Sequence, residues 1–159
     1  MKTKLSLRGR ALNILARQEI SRAELARKLS PYVEATDDLP ALLDELAQKH
    51  WQSDNRFTEI YIRSKSCQHG NLRLKQALKQ KGIDEELIQD FLPDSQQQLI
   101  NAINILHKKY RCPPTNLKEK QKYMHFLAYR GFSMDIIHRA IREAWTDALL
   151  PDDNEYNWD

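Results

Sequence analysis

A helix-corner-helix pattern occurs three times in this chain of 159 residues. The seven residues that start at Leu15 align without a gap with those that start at Leu78 and at Leu127. Extending the alignment in both directions gives six positions that are apolar or aromatic in all three segments. The first three have the i, i+3, i+4 spacing of one helix face, and the others fall at the corner and on a second helix. These positions are Ala11/Leu74/Tyr123, Ile14/Ala77/Phe126, Leu15/Leu78/Leu127, Ile20/Ile83/Phe132, Leu25/Ile88/Ile137 and Leu29/Leu92/Ile141. Such self-similarity is typical of a chain built from several small helical units.

The residues at each corner support this interpretation. Ser21, Asp84 and Ser133 occupy equivalent places where an N-cap would open the second helix. Gly82 and Gly131 stand where the first helix should end, a position that favours left-handed backbone. The first repeat has a glutamate, Glu19, at that place and matches less well.

A third helix is predicted in the first two units, after Asp38 and after Asp94, whereas the third unit shows less room for one. The spacing between equivalent leucines is 63 and then 49 residues, so the first unit should carry a longer insertion. We therefore predict an all-α fold of three tandem three-helix, helix-turn-helix-like units in an elongated arrangement, with the third unit truncated. The predicted boundaries are 1–65 for the first unit and a connecting helix, 66–112 for the second unit, 113–150 for the third, and 151–159 for an acidic C-terminal tail.

Composition excludes several other classes of protein. The chain has 21 Leu but one Val, and only 10 Gly and Pro residues together, which disfavours a β-sandwich or barrel. Its four glycines lie at least 12 positions apart, so neither a phosphate-binding loop nor a dinucleotide fingerprint is present. We expect no ATP hydrolysis by the chain itself and no enzymatic activity.

The cysteines and apolar segments indicate a soluble protein of the reducing cytoplasm. Cys67 and Cys112 do not make a disulfide framework, and together with His69 and His107 they do not have the usual spacing of zinc ligands. Charged residues interrupt the N-terminal apolar stretch, and no segment is apolar enough to cross a bilayer. We expect no metal, no cofactor, no membrane partner and a monomeric chain.

Charge alternates along the chain, although its sum is only +3. Residues 1–30, 63–82 and 105–130 each carry a net charge of +6, and the three segments between and after them each carry −5. The basic residues recur on the first helix of each repeat, and others flank the aromatic segment around Phe57. The candidate binding residues are Arg8, Arg10, Arg17, Arg56, Arg63, Lys65, Arg73, Lys75, Lys79, Lys81, Lys120, Lys122 and Arg130. Two interpretations stay open: these cations are solvated helix faces, or they form a surface for a polyanion or an acidic protein.

A winged-helix-like transcriptional DNA-binding protein is the alternative function. Residues 20–29 have the pattern of a helix-turn-helix, and only this first unit could dock its second helix on DNA. The equivalent helix of the second unit, 84–92, is acidic and would repel phosphate. Phe57 and Tyr61 are expected to pack in a core, and Glu59 to pair with Arg63.

Taken together, several motifs resemble the bacterial RecX regulators of the RecA recombinase, over nearly the whole chain. The motifs are Ala11 to Leu29, Asp54-x-Arg56-Phe57 with Tyr61, Ile62 and Arg63, Gly70 to Leu78 followed by Lys81-Gly82-Ile83, and Phe126-Leu127 with Arg130-Gly131-Phe132. The resemblance implies tandem three-helix units that bind along the RecA nucleoprotein filament and, more weakly, DNA. It also implies inhibition of RecA's ATP hydrolysis, strand exchange and coprotease activity, and hence a role in recombination, DNA repair and the SOS response.

Overall fold

The computed structural model describes residues 3–146, and this part of the chain is helical without a strand, as predicted. None of its helices is both long and apolar enough to span a bilayer. A 3-10 helix, Ser30–Tyr32, follows α2. The α-helices are α1 (Leu7–Leu15), α2 (Arg22–Leu29), α3 (Leu39–Gln48), α4 (Asp54–Lys65), α5 (Asn71–Gln80), α6 (Glu85–Phe91), α7 (Ser95–Lys109), α8 (Leu117–Tyr129) and α9 (Met134–Glu143).

The chain divides into two compact lobes. The first lobe comprises residues 1–63 and 75–92, and the second comprises 64–74 and 93–159. The acidic tail predicted at 151–159 lies outside the described residues.

The first lobe contains two apolar clusters, one formed by α1, α2 and α3 and the other by α4, α5 and α6. The first of these has Leu25, Leu29 and Leu46 at its centre, all without exposed surface. The second joins Phe57 and Ile62 of α4 to Leu78, Ile83 and Ile88. The predicted burial of Phe57 is thus confirmed, and Tyr61 packs half-buried against the same cluster.

The second lobe has one cluster, formed by α7, α8 and α9. Leu106 of α7, Leu127 of α8 and Ile137 of α9 are completely buried in it. Tyr110 and Tyr123 stack in this cluster with ring centroids 3.7 Å apart.

The repeat predicts the buried positions well. Of the 18 aligned apolar residues, 13 are buried. The other five, Ile14, Ala77, Phe126, Leu15 and Leu92, are half-buried. The set that is half-buried in all three repeats is Ile14/Ala77/Phe126, so even the edge of each core recurs.

The position of the third helix differs between the clusters. In the first cluster α3 follows the corner pair α1–α2, whereas α4 precedes the pair α5–α6 and α7 precedes the pair α8–α9. The apolar stripes of α4 and α7 therefore pack with the helices that follow them, while the boundaries drawn from the sequence group them with the helices before. Two helices, α3 and α4, lie between the pairs α1–α2 and α5–α6, and only α7 lies between the pairs α5–α6 and α8–α9. This explains the spacings of 63 and 49 residues.

The corners have the predicted backbone. Gly82 and Gly131 have φ of 76° and 94°, and His50 is the one non-glycine residue with positive φ between residues 3 and 146, so Glu19 is not left-handed. Ser21 caps α2 by accepting a hydrogen bond from the Glu24 backbone N–H at 3.2 Å. Asp84 and Ser133 occupy the N-cap positions of α6 and α9 without a side-chain cap bond.

Candidate nucleic-acid interface

The described parts of the two lobes differ sharply in charge. Residues 3–63 and 75–92 of the first lobe contain 13 basic and 13 acidic side chains, a net charge of zero. Residues 64–74 and 93–146 of the second lobe contain 11 basic and four acidic side chains, a net charge of +7 with histidine neutral. A surface that attracts a polyanion is therefore expected on the second lobe.

Most of the predicted basic residues of the first lobe already have carboxylate partners. Six of the eight form ion pairs: Arg8 with Glu45 (3.1 Å), Arg56 with Glu19 (2.6 Å), Arg63 with Glu59 (3.0 Å), Lys75 and Lys79 with Glu85 (2.8 and 3.6 Å), and Lys81 with Glu24 (3.0 Å). The pair between Glu59 and Arg63 was predicted from the sequence. Each pair cancels much of the field that a phosphate would feel, because the two opposite charges are in contact.

Hydrogen bonds to these carboxylates keep them ionised. Bonds from Lys49 and then Arg8 lower the pKa of Glu45, and the bond from Lys75 lowers the pKa of Glu85. Both groups are negative near neutral pH, as glutamates ordinarily are, and the lowered pKa extends that charge to more acidic pH, so they compete with any phosphate for the same cations.

Arg56 has a structural environment. Its guanidinium donates to Glu19 at 2.6 Å, to the His50 carbonyl at 2.9 Å and to the Trp51 carbonyl at 3.2 Å. His50 has a φ of 59°, so these bonds hold the strained turn between α3 and α4. This arginine has its donors committed within the lobe.

Two predicted cations of the first lobe, Arg10 and Arg17, have no carboxylate within ion-pair distance among the described residues. The Arg10 guanidinium lies 3.9 Å from the ring centroid of Tyr32, which is a cation-π contact. Arg17 is exposed beside Lys28, with which it lines a shallow cavity. These two side chains are the first lobe's remaining candidates for anion contact.

All five predicted cations of the second lobe lack a carboxylate partner in the part of it that the structure describes; they are Lys65, Arg73, Lys120, Lys122 and Arg130. Three of the four acids in this part of the lobe have other partners. Asp94 caps α7, and Glu119 accepts two bonds from Thr115, which lower the pKa of that carboxyl group. Glu143 pairs with cations of its own helix.

A close backbone approach brings Arg73 and Arg130 together. The Gly70 N–H donates to the Arg130 carbonyl at 2.7 Å, and the Leu72 N–H donates to the Gly131 carbonyl at 3.1 Å. A Cβ on Gly70 would overlap the Gly131 backbone, so only glycine fits at position 70. The N-terminal end of α5 is thereby joined to the corner between α8 and α9.

His69 lies in the positive field that results. Its pKa is lowered first by burial and then by the charges of Arg73, Arg130 and Lys65. Three cations, Lys65 of α4, Arg73 of α5 and Arg130 directly after α8, thus lie near His69 in the second lobe, with no carboxylate among the described residues in ion-pair contact with them.

The sequence did not single out Lys108 and Lys109, which join this group. They line a cleft of about 340 Å³ with Cys67, Gln68, Ile105, Phe126 and Arg130. Lys109 Nζ and the Arg130 guanidinium lie 5.4 and 5.2 Å from the ring centroid of Phe126. Both lysines are in the last turn of α7, where cations commonly offset the helix dipole, so their positions gave no separate indication of binding.

Lys120 and Lys122 are exposed on α8 and do not line this cleft. Lys120 borders a different cavity with His138 and Arg142, and Lys122 borders another with His125. The structure therefore gathers Arg130 with two unpredicted lysines and leaves two predicted lysines apart.

The helix-turn-helix alternative depends on the basic residues of α2. Arg22 pairs with Asp44 at 2.7 Å, and Arg27 donates to the Gln80 carbonyl at 3.2 Å. Asp44 thus offsets one of the helix's three cations, whereas the Gln80 carbonyl holds Arg27 without cancelling its charge, and Lys28 has no ion pair among the described residues. Residues 3–146 contain no strand from which a wing could form.

Comparisons with known families match two of the three helix clusters. The model described as "RecX, second three-helix domain" matches residues 53–92, which span α4 to α6. The model described as "RecX, third three-helix domain" matches residues 96–141, which span α7 to α9.

Similar proteins and structures cover almost the whole chain. The "Regulatory protein RecX" of Neisseria meningitidis serogroup B is 53% identical over 152 residues, which is 96% of this chain and 99% of that protein. The protein of the same name from Herbaspirillum seropedicae is 40% identical over 94% of this chain and 96% of that protein. A crystal structure of RecX from Lactobacillus salivarius has the same fold, with a TM-score of 0.75 at 24% identity over 87% of this chain and 94% of that one.

Proposed function

Since the chain belongs to the RecX family of regulatory proteins, we propose that it is a negative regulator of RecA. In this proposal it binds RecA-DNA filaments and inhibits their ATP hydrolysis, strand exchange and coprotease activity. It would thereby modulate recombination, DNA repair and the SOS response.

The unpaired positive charge of the second lobe is the observation that carries this proposal. A net charge of +7 over residues 64–74 and 93–146, without carboxylate partners for Lys65, Arg73 and Arg130, suits a polyanion such as the DNA held in a filament. The neutral first lobe, in which most cations are paired, suits contacts with protein subunits better than contacts with phosphate.

Binding along the filament would act by obstruction. A chain wedged in the filament groove would hinder the subunit movements that accompany ATP turnover, and it would block the entry of partner DNA or repressor. Contacts made by both lobes to one filament would reinforce each other, because the second contact forms at a high effective concentration.

The test is RecA ATPase activity on single-stranded DNA while this protein is titrated from a few per cent of the RecA concentration to an equimolar amount. We expect progressive inhibition. The variant Lys75→Gln/Lys79→Gln, which removes two cations that Glu85 already pairs, should inhibit as the parent does. Full ATPase activity at equimolar protein would refute the proposed function.

A further inference from the structure

Two neighbouring cavities lie along α7, and we treat them together as the α7 cleft. The first, of about 310 Å³, is lined by Asn101, Asn104, His107, Lys108 and Cys67. The second, of about 340 Å³, is the cationic cleft described above, and it shares Cys67 and Lys108 with the first. Both lie wholly within the second lobe.

One end of this cleft offers amide groups. Asn101 and Asn104 are one helical turn apart on α7, so their side chains lie on the same face. Asn101 Oδ1 accepts a bond from Gln97 at 3.0 Å, which leaves its NH₂ group available as a donor. The His107 ring, which also lines the first cavity, is held by its hydrogen bond to the Ala144 carbonyl.

The other end offers positive charge and an aromatic ring. Lys108, Lys109 and Arg130 line it, and no carboxylate lines either cavity. The Lys109 and Arg130 cations both lie over the ring of Phe126, so cation-π contacts hold them next to an apolar surface. Cations that have no competing carboxylate bind phosphate oxygens directly.

This combination matches the chemistry of a nucleotide. Amide groups form hydrogen bonds with base edges or the sugar, and cations bind the phosphate. Each cavity also has the volume of a small-ligand site, about 300 Å³ or more. Side chains reach base edges most readily in a single strand, where the bases are not paired with a complementary strand. An acidic peptide would satisfy the cations and would leave the amide end without a matching group.

We infer that the α7 cleft binds a nucleotide unit of single-stranded DNA, with its phosphate on Lys108, Lys109 and Arg130 and its base or sugar on Asn101 and Asn104. This inference deepens the proposed function and rests on it for the identity of the polymer. The salt dependence of binding to a fluorescent oligothymidylate tests it, because phosphate contacts and amide contacts respond differently to salt.

Two double variants separate the ends of the cleft. Lys108→Gln/Lys109→Gln should weaken binding at least tenfold. It should also make the negative slope of log association constant against log salt concentration shallower by about 1.4, or about 0.7 for each lost phosphate contact. Asn101→Ala/Asn104→Ala should weaken binding about fivefold or more without changing that slope, since neutral hydrogen bonds release no counterions. Lys75→Gln/Lys79→Gln is the matched control, because it removes the same charge from paired lysines of the first lobe.

Cys67 provides a direct footprint, because it borders both cavities and is exposed. Oligothymidylate should slow its alkylation by a maleimide several-fold, while the exposed Cys112 serves as the internal reference. Free thymidine monophosphate at the same nucleotide concentration should protect much less, which distinguishes a strand from a free nucleotide. Equal urea midpoints for all variants would exclude misfolding.

An unprotected Cys67, or a wild-type salt slope in Lys108→Gln/Lys109→Gln, would overturn the inference. If that variant binds DNA normally but no longer inhibits RecA, the cleft contacts protein, so the nucleotide site is wrong and the proposed function stands. If the parent protein binds DNA in the cleft but leaves RecA ATPase unchanged, the proposed function fails and the site stands.

Discussion

The two lobes are built from the same helix-corner-helix repeat, but they use their charges differently. In the first lobe Arg8, Lys75 and Lys81 each meet a glutamate, and the charges of residues 3–63 and 75–92 sum to zero. In the second lobe Lys65, Arg73 and Arg130 surround a histidine, with no carboxylate among its described residues in ion-pair contact with them. An exposed ion pair contributes only about 0–1 kcal/mol to stability. Pairing therefore changes what a lobe attracts far more than how firmly it folds.

The largest expected effect comes from Gly70→Ala, which would separate the elements that carry Arg73 and Arg130. The added Cβ would lie 2.6 Å from the Phe132 nitrogen, against backbone that cannot move aside easily. We expect a loss of about 3 kcal/mol in the free energy of unfolding, measured in urea. Gly9→Ala in α1 is the control, because its Cβ would lie 3.2 Å from the movable Ser6 hydroxyl, and its change should stay within about 1 kcal/mol. Equal unfolding midpoints for the two variants would contradict the described approach.

A smaller effect is expected for Arg56→Ala in the first lobe. It removes three hydrogen bonds, one of them to Glu19, and should cost about 1–2 kcal/mol of stability after allowance for the partial exposure of the pair. Arg63→Ala breaks a pair whose arginine side chain is 76% exposed, and it should cost less than about 0.5 kcal/mol. Neither variant should alter the salt slope of oligothymidylate binding, and a lowered slope for Arg56→Ala would give that residue a binding role.

The third expected effect concerns residues 147–159, which carry five acidic side chains and no basic one. Their charge opposes that of the remaining residues of the second lobe, 64–74 and 93–146. Deleting them should tighten oligothymidylate binding about two- to fivefold at low salt and less at physiological salt, where screening is stronger. Replacing the five acids with their amides is the control that keeps the chain length. Unchanged affinity in both variants at low salt would show that the segment's charge does not reach the binding surface.

The smallest effect expected is on the pH dependence of stability through His69. Burial, followed by Arg73, Arg130 and Lys65, lowers the pKa of His69 from its ordinary 6.5. Below pH 6.5 the unfolded chain binds a proton that the folded chain binds less tightly, so stability is lost as the pH falls through this range. His69→Gln should reduce the drop in urea midpoint between pH 7.5 and pH 5.5. An identical drop in the parent and the variant would count against the positive environment of His69.

The sequence predicts the helices and cores because those depend on local periodicity. The six aligned apolar sets mark buried or half-buried positions in all three repeats, and the left-handed corners at Gly82 and Gly131 are confirmed. The family is confirmed too, since its motifs extend over nearly the whole chain.

The ion pairs and the packing of helices into clusters depend on residues far apart in the chain, and so local sequence patterns do not determine them. Arg8 and Glu45 are 37 residues apart, as are Arg56 and Glu19, and no spacing rule brings them into contact. An apolar stripe on α4 or α7 shows that the helix packs, but it does not show whether the partners precede or follow it. The elongated arrangement, the unit boundaries and the binding roles of the candidate cations stay predictions.

The changing place of the third helix has a consequence for how such chains can be engineered. A hairpin of two helices leaves one apolar face uncovered. Here a third helix covers that face, and it follows the hairpin in the first cluster and precedes it in the other two. The portable building block is therefore the hairpin alone. A designer could graft the closing segment onto either terminus of it, provided that the connecting loop spans the distance.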